Sequence, residues 1–229
     1  MKNLLFVTVG ISGINEKMIE AEDEGNADLR TSLTKLRKSS VDAEFDAAVA
    51  PLCQWHRSRW RMAKSLDDEC LGRHTSSELL VTAKILDQLY ALSPAIDIGK
   101  IILLASNTPA GQLAAQVDRE VMLSEDYAPV RPKPKFAVDI ERIPAPSSGT
   151  VETLADRILE AVNKHRESEK DRVFFNITAS YGAVITLIGM LAVHYGYRLC
   201  YQHETMQQPI YIGQNLRAYT SPEPWIIPQ

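Results

Sequence analysis

Cysteine is scarce in this chain, with three in 229 residues, at Cys53, Cys70 and Cys200. So few and so scattered, they exclude a disulfide framework and favour a reducing, cytoplasmic setting. Long apolar runs are missing as well. Nothing approaches the ~20 consecutive residues of a bilayer-spanning helix, so no membrane partner is expected. The N-terminal MKNLLFVTVG soon gives way to the polar SGINEK with no small-residue cleavage site, and it reads as a first strand rather than a signal peptide. There is no excess of positive charge: 25 Lys+Arg stand against 29 Asp+Glu, a formal net charge of -4. Long nucleic acid is therefore not an expected partner, because that affinity comes mainly from phosphate neutralisation, while a small anion held by a few local donors stays open. Three motifs are absent too. No GxxxxGK[ST] argues against a P-loop nucleotidase, no GxGxxG after the first strand gives dinucleotide binding little support, and Ser12 sits in GISGI rather than GxSxG.

What is present is a globular composition, 45% hydrophobic and 24% charged, at a length that fits one large domain or one and a half ordinary ones. The run LLFVTV (4–9) ends in Gly10-Ile11-Ser12-Gly13, the pattern of a buried strand feeding a tight turn. Residues 16–29 are acidic and 30–64 basic, and this polar stretch delays the next core element, so 16–74 reads as a helical insertion or lid. Thr75-Ser76-Ser77-Glu78 then opens a capped helix with Leu79, Ala83, Leu86 and Tyr90 at helical spacing. A second strand, 100–105, ends at Ser106-Asn107-Thr108-Pro109, and the helix after it carries Leu113, Ala114, Val117 and Val121 on one face. A third strand is predicted at 136–140, then a helix with Leu154, Ile158 and Val162 on its buried stripe, then a fourth strand at 172–178. The run 183–194 is apolar nearly all round and predicts a buried helix, and 197–201 and 210–212 close as two strands at the sheet edge. Strand and helix alternate through most of the chain, which predicts an α/β fold with a doubly wound, mainly parallel sheet, Rossmann-like, with the helical insertion after the first strand. The expected division is a single domain over 1–213 and a C-terminal tail over 214–229, with no stretch left for a separate nuclease, protease or DNA-binding domain.

In such sheets ligands bind beyond the carboxyl ends of the strands, near the topological switch point. Three strand ends here carry small and hydroxyl residues: Gly10, Ile11, Ser12, Gly13 and Asn15; Ser106, Asn107 and Thr108; and Asn176, Thr178, Ala179, Ser180, Tyr181 and Gly182. Small residues let backbone N–H groups approach a ligand, hydroxyls and amides add donors, and each turn leads into a helix N-terminus that favours anions. Taken singly, each is an ordinary strand-to-helix turn with an N-cap. Together on one sheet edge they point to a phosphate-binding cleft.

The same residues resemble a known family. Val9-Gly10-Ile11-Ser12 with Asn15, Ser77-Glu78-Leu79 opening a helix, Ala105-Ser106-Asn107-Thr108 ending a strand, and Phe175-Asn176-Ile177-Thr178 before a long apolar helix are similar to the signatures of CRISPR-associated Rossmann-fold (CARF) proteins. Tyr201 to Glu204 and Ile210 to Ile212 are similar to the end of that domain, so the resemblance covers 1–15 and about 75–213 but not the insertion. It implies a homodimer whose strand-end surfaces form one two-fold pocket for a cyclic oligoadenylate second messenger, either a tetra- or a hexa-adenylate. By motif position, Ser12 and the turn at Thr178 to Gly182 would hold phosphates and ribose, and Ser106, Asn107 and Thr108 would approach adenines. Some members, the ring nucleases, also cleave the ring without metal by attack of a ribose 2′-OH on the adjacent phosphorus, which would make Ser12 the catalytic candidate here. The family's strong fourth-strand motif has two glycines and a lysine after the threonine, where this chain has Ala179, Ser180 and Gly182 and no lysine. The resemblance thus implies a ligand sensor first and a ring nuclease as the alternative, beside a different Rossmann-like small-molecule binder.

Three further constellations carry candidate chemistry. Cys53-x2-His56 and Cys70-x3-His74 stand at helical spacing and would suit a zinc site, although the plainer reading is buried cysteines and surface histidines, and no metal or cofactor is expected. Trp55 and Trp60, beside Arg57, Arg59 and Arg61, would either stack on adenine as a lid or anchor a core. His203-Glu204 is either an acid/base pair or a surface pair at a strand end.

Overall fold

The run LLFVTV forms β1 (Asn3–Val9), all seven residues buried, because it lies at the centre of the sheet with helices on both faces. The structure, a computed structural model, describes residues 2–11, 14, 42–93, 97–127, 135–147, 149–179, 181–203, 206–213, 217–222 and 225, and leaves aside the side chains of 42–48, 70, 73, 74 and 151. After β1 come α1 (Asp42–Met62), α2 (Glu69–His74), α3 (Ser77–Leu92), β2 (Ile98–Ser106) and α4 (Pro109–Leu123). The chain continues through β3 (Ala137–Ile143), α5 (Val151–His165), β4 (Arg172–Asn176), α6 (Gly182–Tyr195), β5 (Arg198–Tyr201), β6 (Ile210–Ile212) and β7 (Ala218–Tyr219). No helix among the described residues is long and apolar enough to cross a membrane.

The strands assemble in the order β3-β2-β1-β4-β5-β6-β7. β1 pairs in parallel with β2 and β4, β2 with β3 and β4 with β5, while β6 and β7 run antiparallel. This is the doubly wound, mainly parallel α/β sheet expected from the alternation of elements. The chain moves outward from β1 through β2 to β3 and then returns to β4 on the other side of β1. The topological switch point therefore lies between the carboxyl ends of β1 and β4.

Alternation along the strands sorts the core into two layers. Leu5, Val7 and Val9 face one layer with Leu103 and Phe174, which α3 and α4 cover through Leu79, Ala83, Leu86, Leu113, Val117 and Val121. Leu4 and Phe6 face the other with Ile102, Leu104 and Phe175, which α5 and α6 cover through Leu154, Ile158, Val162, Val184 and Ile188. From beyond residue 213, Trp225 enters the first layer, its ring tilted against Phe174 at 4.9 Å and edge-on to Tyr211 at 4.8 Å.

The insertion contributes α1 and α2; its acidic stretch, 16–29, lies outside the described residues. α1 docks on α4 and the turn after it. Leu52, Cys53 and Trp60 are buried in the first layer, the Trp60 ring meets Tyr127 edge-on at 4.7 Å, and Asp126 accepts from Arg57 at 3.0 Å and Arg61 at 3.1 Å. Those guanidiniums, Arg61 first, hold the Asp126 carboxyl below its ordinary value. Trp55 is likewise buried, with the Arg59 guanidinium 5.3 Å over its ring. The two tryptophans are therefore packing anchors, the plainer of the two readings.

α6 departs from the expectation of a helix buried all round. Val184, Ile188 and Ala192 are buried, but Met190 and Val193 are 65% and 60% exposed. The helix covers the sheet from one side, so its apolar outer stripe faces away from the core. It ends at Gly196 in the left-handed region, φ 69°, where glycine carries no Cβ penalty and its N–H caps the Ala192 carbonyl.

Candidate functional site

The carboxyl ends of β1, β4 and β5 open onto a cavity of about 1040 Å³. Gly10 and Ile11 line it after β1, Thr178, Ala179 and Tyr181 after β4, and Tyr201, Gln202 and His203 after β5. One row of α3 faces it, headed by Ser77 and continued by Leu80, Val81 and Lys84. The insertion supplies a wall from Leu66, Asp67, Asp68, Glu69 and Gly72, and the turn before β6 supplies Met206, Gln207 and Gln208. Among the described residues of the insertion, those that border the cavity lie around α2 and not on the tryptophan-bearing α1.

At the end of β1 the backbone N–H of Gly10 donates to Glu78 Oε1, and Ser77 Oγ donates to the other carboxylate oxygen at 3.1 Å. The first donor that the strand end offers is therefore taken by an acid of this chain. A Cβ on residue 10 would lie 3.2 Å from that Glu78 oxygen and 3.3 Å from the Ala179 carbonyl, so a side chain there would push the β1 end, α3 and the β4 turn apart by a few tenths of an ångström.

Behind Glu78, Ser76 caps α3 by accepting from the Leu79 N–H at 3.1 Å and donates its own hydroxyl to Asp118 Oδ1 at 3.0 Å. Burial first, and then the negative charge of Glu78, hold the Asp118 carboxyl well above its ordinary 3.8, against the opposing pull of the Ser76 hydrogen bond. The folded protein thus keeps a proton that the unfolded chain releases from about pH 4 upward. The contribution is favourable below that pH and is lost as pH rises toward the folded value, at about 1.4 kcal/mol per pH unit. Asp118→Asn removes the ionisation, so urea midpoints at about pH 4.5 and pH 7.5 should differ less in the variant than in the parent chain. An unchanged difference would show that Asp118 does not carry the slope.

At the end of β4, Asn176 is buried behind the cavity wall. Its Nδ2 donates to Thr82 Oγ1 at 3.1 Å, its Oδ1 accepts from the Thr178 N–H at 3.2 Å, and its carbonyl accepts from Thr8 Oγ1 at 3.2 Å. Thr178 Oγ1 in turn accepts from the Gln202 N–H at 3.1 Å, which ties the β4 turn to the end of β5. Tyr181 is the N-cap of α6 and makes no side-chain capping bond, so the first turn of this helix, beginning at Gly182, has no N-cap side-chain acceptor beside the cavity.

The β2 end is built differently, and Ser106, Asn107 and Thr108 are not brought into the cavity lining. Thr108 caps α4 by accepting from the Gly111 N–H at 3.1 Å and lies 2.8 Å from Ser106 Oγ, while Asn107 Oδ1 accepts from the Ala145 N–H at 3.1 Å. A Cβ at Gly111 would fall 2.2 Å from Ser106 Oγ, so the packing of α4 on this strand end depends on the glycine. Of the other candidates, Gly10, Ile11, Thr178, Ala179 and Tyr181 line the cavity, Asn176 supports it, Gly182 opens α6 without being in the lining, and Ser12, Gly13, Asn15 and Ser180 lie outside the described residues.

A family model described as CRISPR-associated protein (Cas_APE2256) matches residues 73–214. The chain belongs to the Cas_APE2256 family. None of the curated proteins matches it. The matched segment of this family member runs from the end of α2 through β6. It contains the α3, β4 and β5 parts of the cavity and leaves out β1 and the Leu66–Gly72 wall.

The cysteine and histidine constellation divides. Cys53 is buried, its Sγ 3.8 Å from the Val117 carbonyl, and burial followed by the charges of Glu120 and Asp118 pushes its thiol up to about 12. The thiolate that a metal requires is thereby disfavoured. His56 is buried on the same helix, and the side chains of Cys70 and His74 lie outside the described ones. Among the described residues no three His, Cys, Asp or Glu side chains stand together as a metal-binding set. His203 lines the cavity, while Glu204 lies outside the described residues.

Two cavity residues of this Cas_APE2256 member escape sequence reasoning. Asp67 and Lys84 are joined across the cavity wall at 2.9 Å. The available signal was that Lys84 falls seven residues after Ser77, two helical turns along the same row of α3.

Proposed function

We propose that this CRISPR-associated protein is a CARF-type sensor that binds a cyclic oligoadenylate in the cavity at the β1/β4 switch point. The observation that carries the reading is the coincidence of a cavity of about 1040 Å³ with the strand-end turns at Gly10–Ile11 and Thr178–Tyr181, in a chain of a CRISPR-associated family. The cavity is at the upper end of small-molecule pockets, which run about 300–1,000 Å³. The open first turn of α6 and the Thr178 hydroxyl supply donors of the kind that hold phosphate without a basic protein.

The same reading makes the working unit a homodimer. The exposed stripe of α6, with Met190 and Val193, starts beside Tyr181 at the cavity mouth. Pairing two such stripes about a two-fold axis buries apolar surface and sets two cavities against one symmetric ring.

Incubation with cyclic tetra- and hexa-adenylate in the presence of a chelator tests the reading, with binding followed by calorimetry, products by chromatography and oligomeric state by sedimentation. The expected result is a dimer that binds one ring intact. Failure to bind either ring overturns the assignment, and accumulation of linear products replaces the sensor by the ring nuclease.

A further inference from the structure

Among the described residues, the cavity that would take a polyanion carries Asp67, Asp68 and Glu69 on one wall and one lysine, Lys84, on another. Those three carboxylates outnumber the lysine, and a carboxylate repels a phosphate-rich ligand. Lys84 resolves the conflict by its placement. Its side chain is only 8% exposed, and its Nζ is held at 2.9 Å by Asp67 Oδ1 and donates at 2.8 Å to the Gln207 carbonyl. Asp67 is 67% exposed.

A buried ammonium left without an anion is strongly unfavourable, whereas one that exchanges one anion for another keeps its compensation. Asp67 suits such an exchange, because an exposed carboxylate regains its hydration on release. We propose that Lys84 is the cation of this site, held in reserve by Asp67 of the insertion and handed to a phosphodiester oxygen of the ligand when that oxygen displaces the carboxylate. This rests on the sensor reading and adds the contact that the β4 turn, lacking a lysine, does not provide. The insertion thereby sets the threshold for binding: Asp67 competes with every anion that enters.

The two partners consequently have opposite effects. Lys84→Met keeps the volume and removes the charge, and it should weaken binding of cyclic tetra-adenylate on the order of tenfold or more, the range of a hydrogen bond to a charged group. It should also make the logarithmic salt dependence shallower by about 0.7, one phosphate contact fewer. Asp67→Asn removes the competitor and should tighten binding several-fold. In the double variant the Asp67→Asn gain should vanish, because nothing remains for the carboxylate to hold.

A ligand-free measurement accompanies these. In the full chain, acetylation of each lysine by an N-hydroxysuccinimide ester, read by mass spectrometry, should be slow at Lys84 and several-fold faster in Asp67→Asn. Asp67 is at the surface, so this variant is informative even where Lys84→Met folds poorly. Ring binding by the parent chain with affinity and salt slope unchanged in both variants overturns the role of Lys84 and leaves the sensor reading standing. Absence of ring binding in the parent chain overturns that reading and the ligand step together. Equal Lys84 acetylation with and without Asp67 overturns the reserve contact itself.

Discussion

Trp225→Ala is expected to lower the free energy of unfolding by about 3–5 kcal/mol, the range for large aromatic truncations in a core. Trp225 is fully buried and makes ring contacts with Phe174 of β4 and Tyr211 of β6. Those contacts join the central strand next to the switch point to the antiparallel edge. Its indole Nε1 has no hydrogen-bond partner among the described residues. Truncation therefore also removes an unpaired donor, which places the expected loss in the lower half of that range. Trp225→Phe keeps most of the ring area and should lose no more than about half as much. Guanidinium unfolding with an unchanged m-value measures both, and a loss below about 1 kcal/mol for alanine would show that the cluster closes over the gap. The effect should reach the cavity, because Tyr211 donates its hydroxyl to Gln88 at 2.6 Å and Gln88 donates to Gln208, a lining residue, at 2.8 Å.

The second large effect is at Asn176. Alanine there strips the Thr178 N–H of its acceptor and takes away the donor that meets Thr82 Oγ1, inside a wall where Thr82 and Asn176 are both buried. A buried group left unsatisfied costs about 1–3 kcal/mol, and the half-buried Thr178 N–H about 1 kcal/mol more, so a loss of about 2–4 kcal/mol is expected. The energetic signature is non-additivity. Pairing Asn176→Leu with Thr82→Val removes both ends of one bond, and the double variant should be more stable than the two single losses predict. Strict additivity would mean that the amide does not bridge α3 and the β4 turn. Under the proposed sensor function, ring affinity should also fall in Asn176→Ala, because Thr178 loses the bond that orients its N–H.

Much of this scaffold is written plainly in the residues. LLFVTV has no polar interruption that would suit a surface strand, and it occupies the fully buried centre of the sheet. Ser76 caps the helix that Thr75-Ser76-Ser77-Glu78 announces, and Thr108 caps the next, because local side chain-to-backbone bonds depend on neighbours in sequence. What depends on distant packing is less legible. Lys84 has the sequence signature of a solvated helix position, and only the arrival of Asp67 and the Gln207 turn buries it. Asn176 looks like a donor for a ligand and instead holds the wall, since its partner Thr82 is 94 residues away. α6 shows the limit of periodicity: an apolar stripe has the same pattern whether it faces a core or a surface. β7 is two residues long, too short for any alternation to register.

The two ends of the sheet restrict how copies of this protein can meet. β3, at one end, carries Asp139, Glu141 and Arg142, with Lys100, Lys164 and His165 bound to the two acids. β7, at the other, has two residues. A strand offers a template for amyloid-like stacking when it is long, flat and uncharged, and neither end is. Crowding many copies together thus gives the sheets little opportunity to fuse into a continuous ribbon, and the apolar surface exposed on α6 can exist on the protein without the backbone edges adding a second route to aggregation.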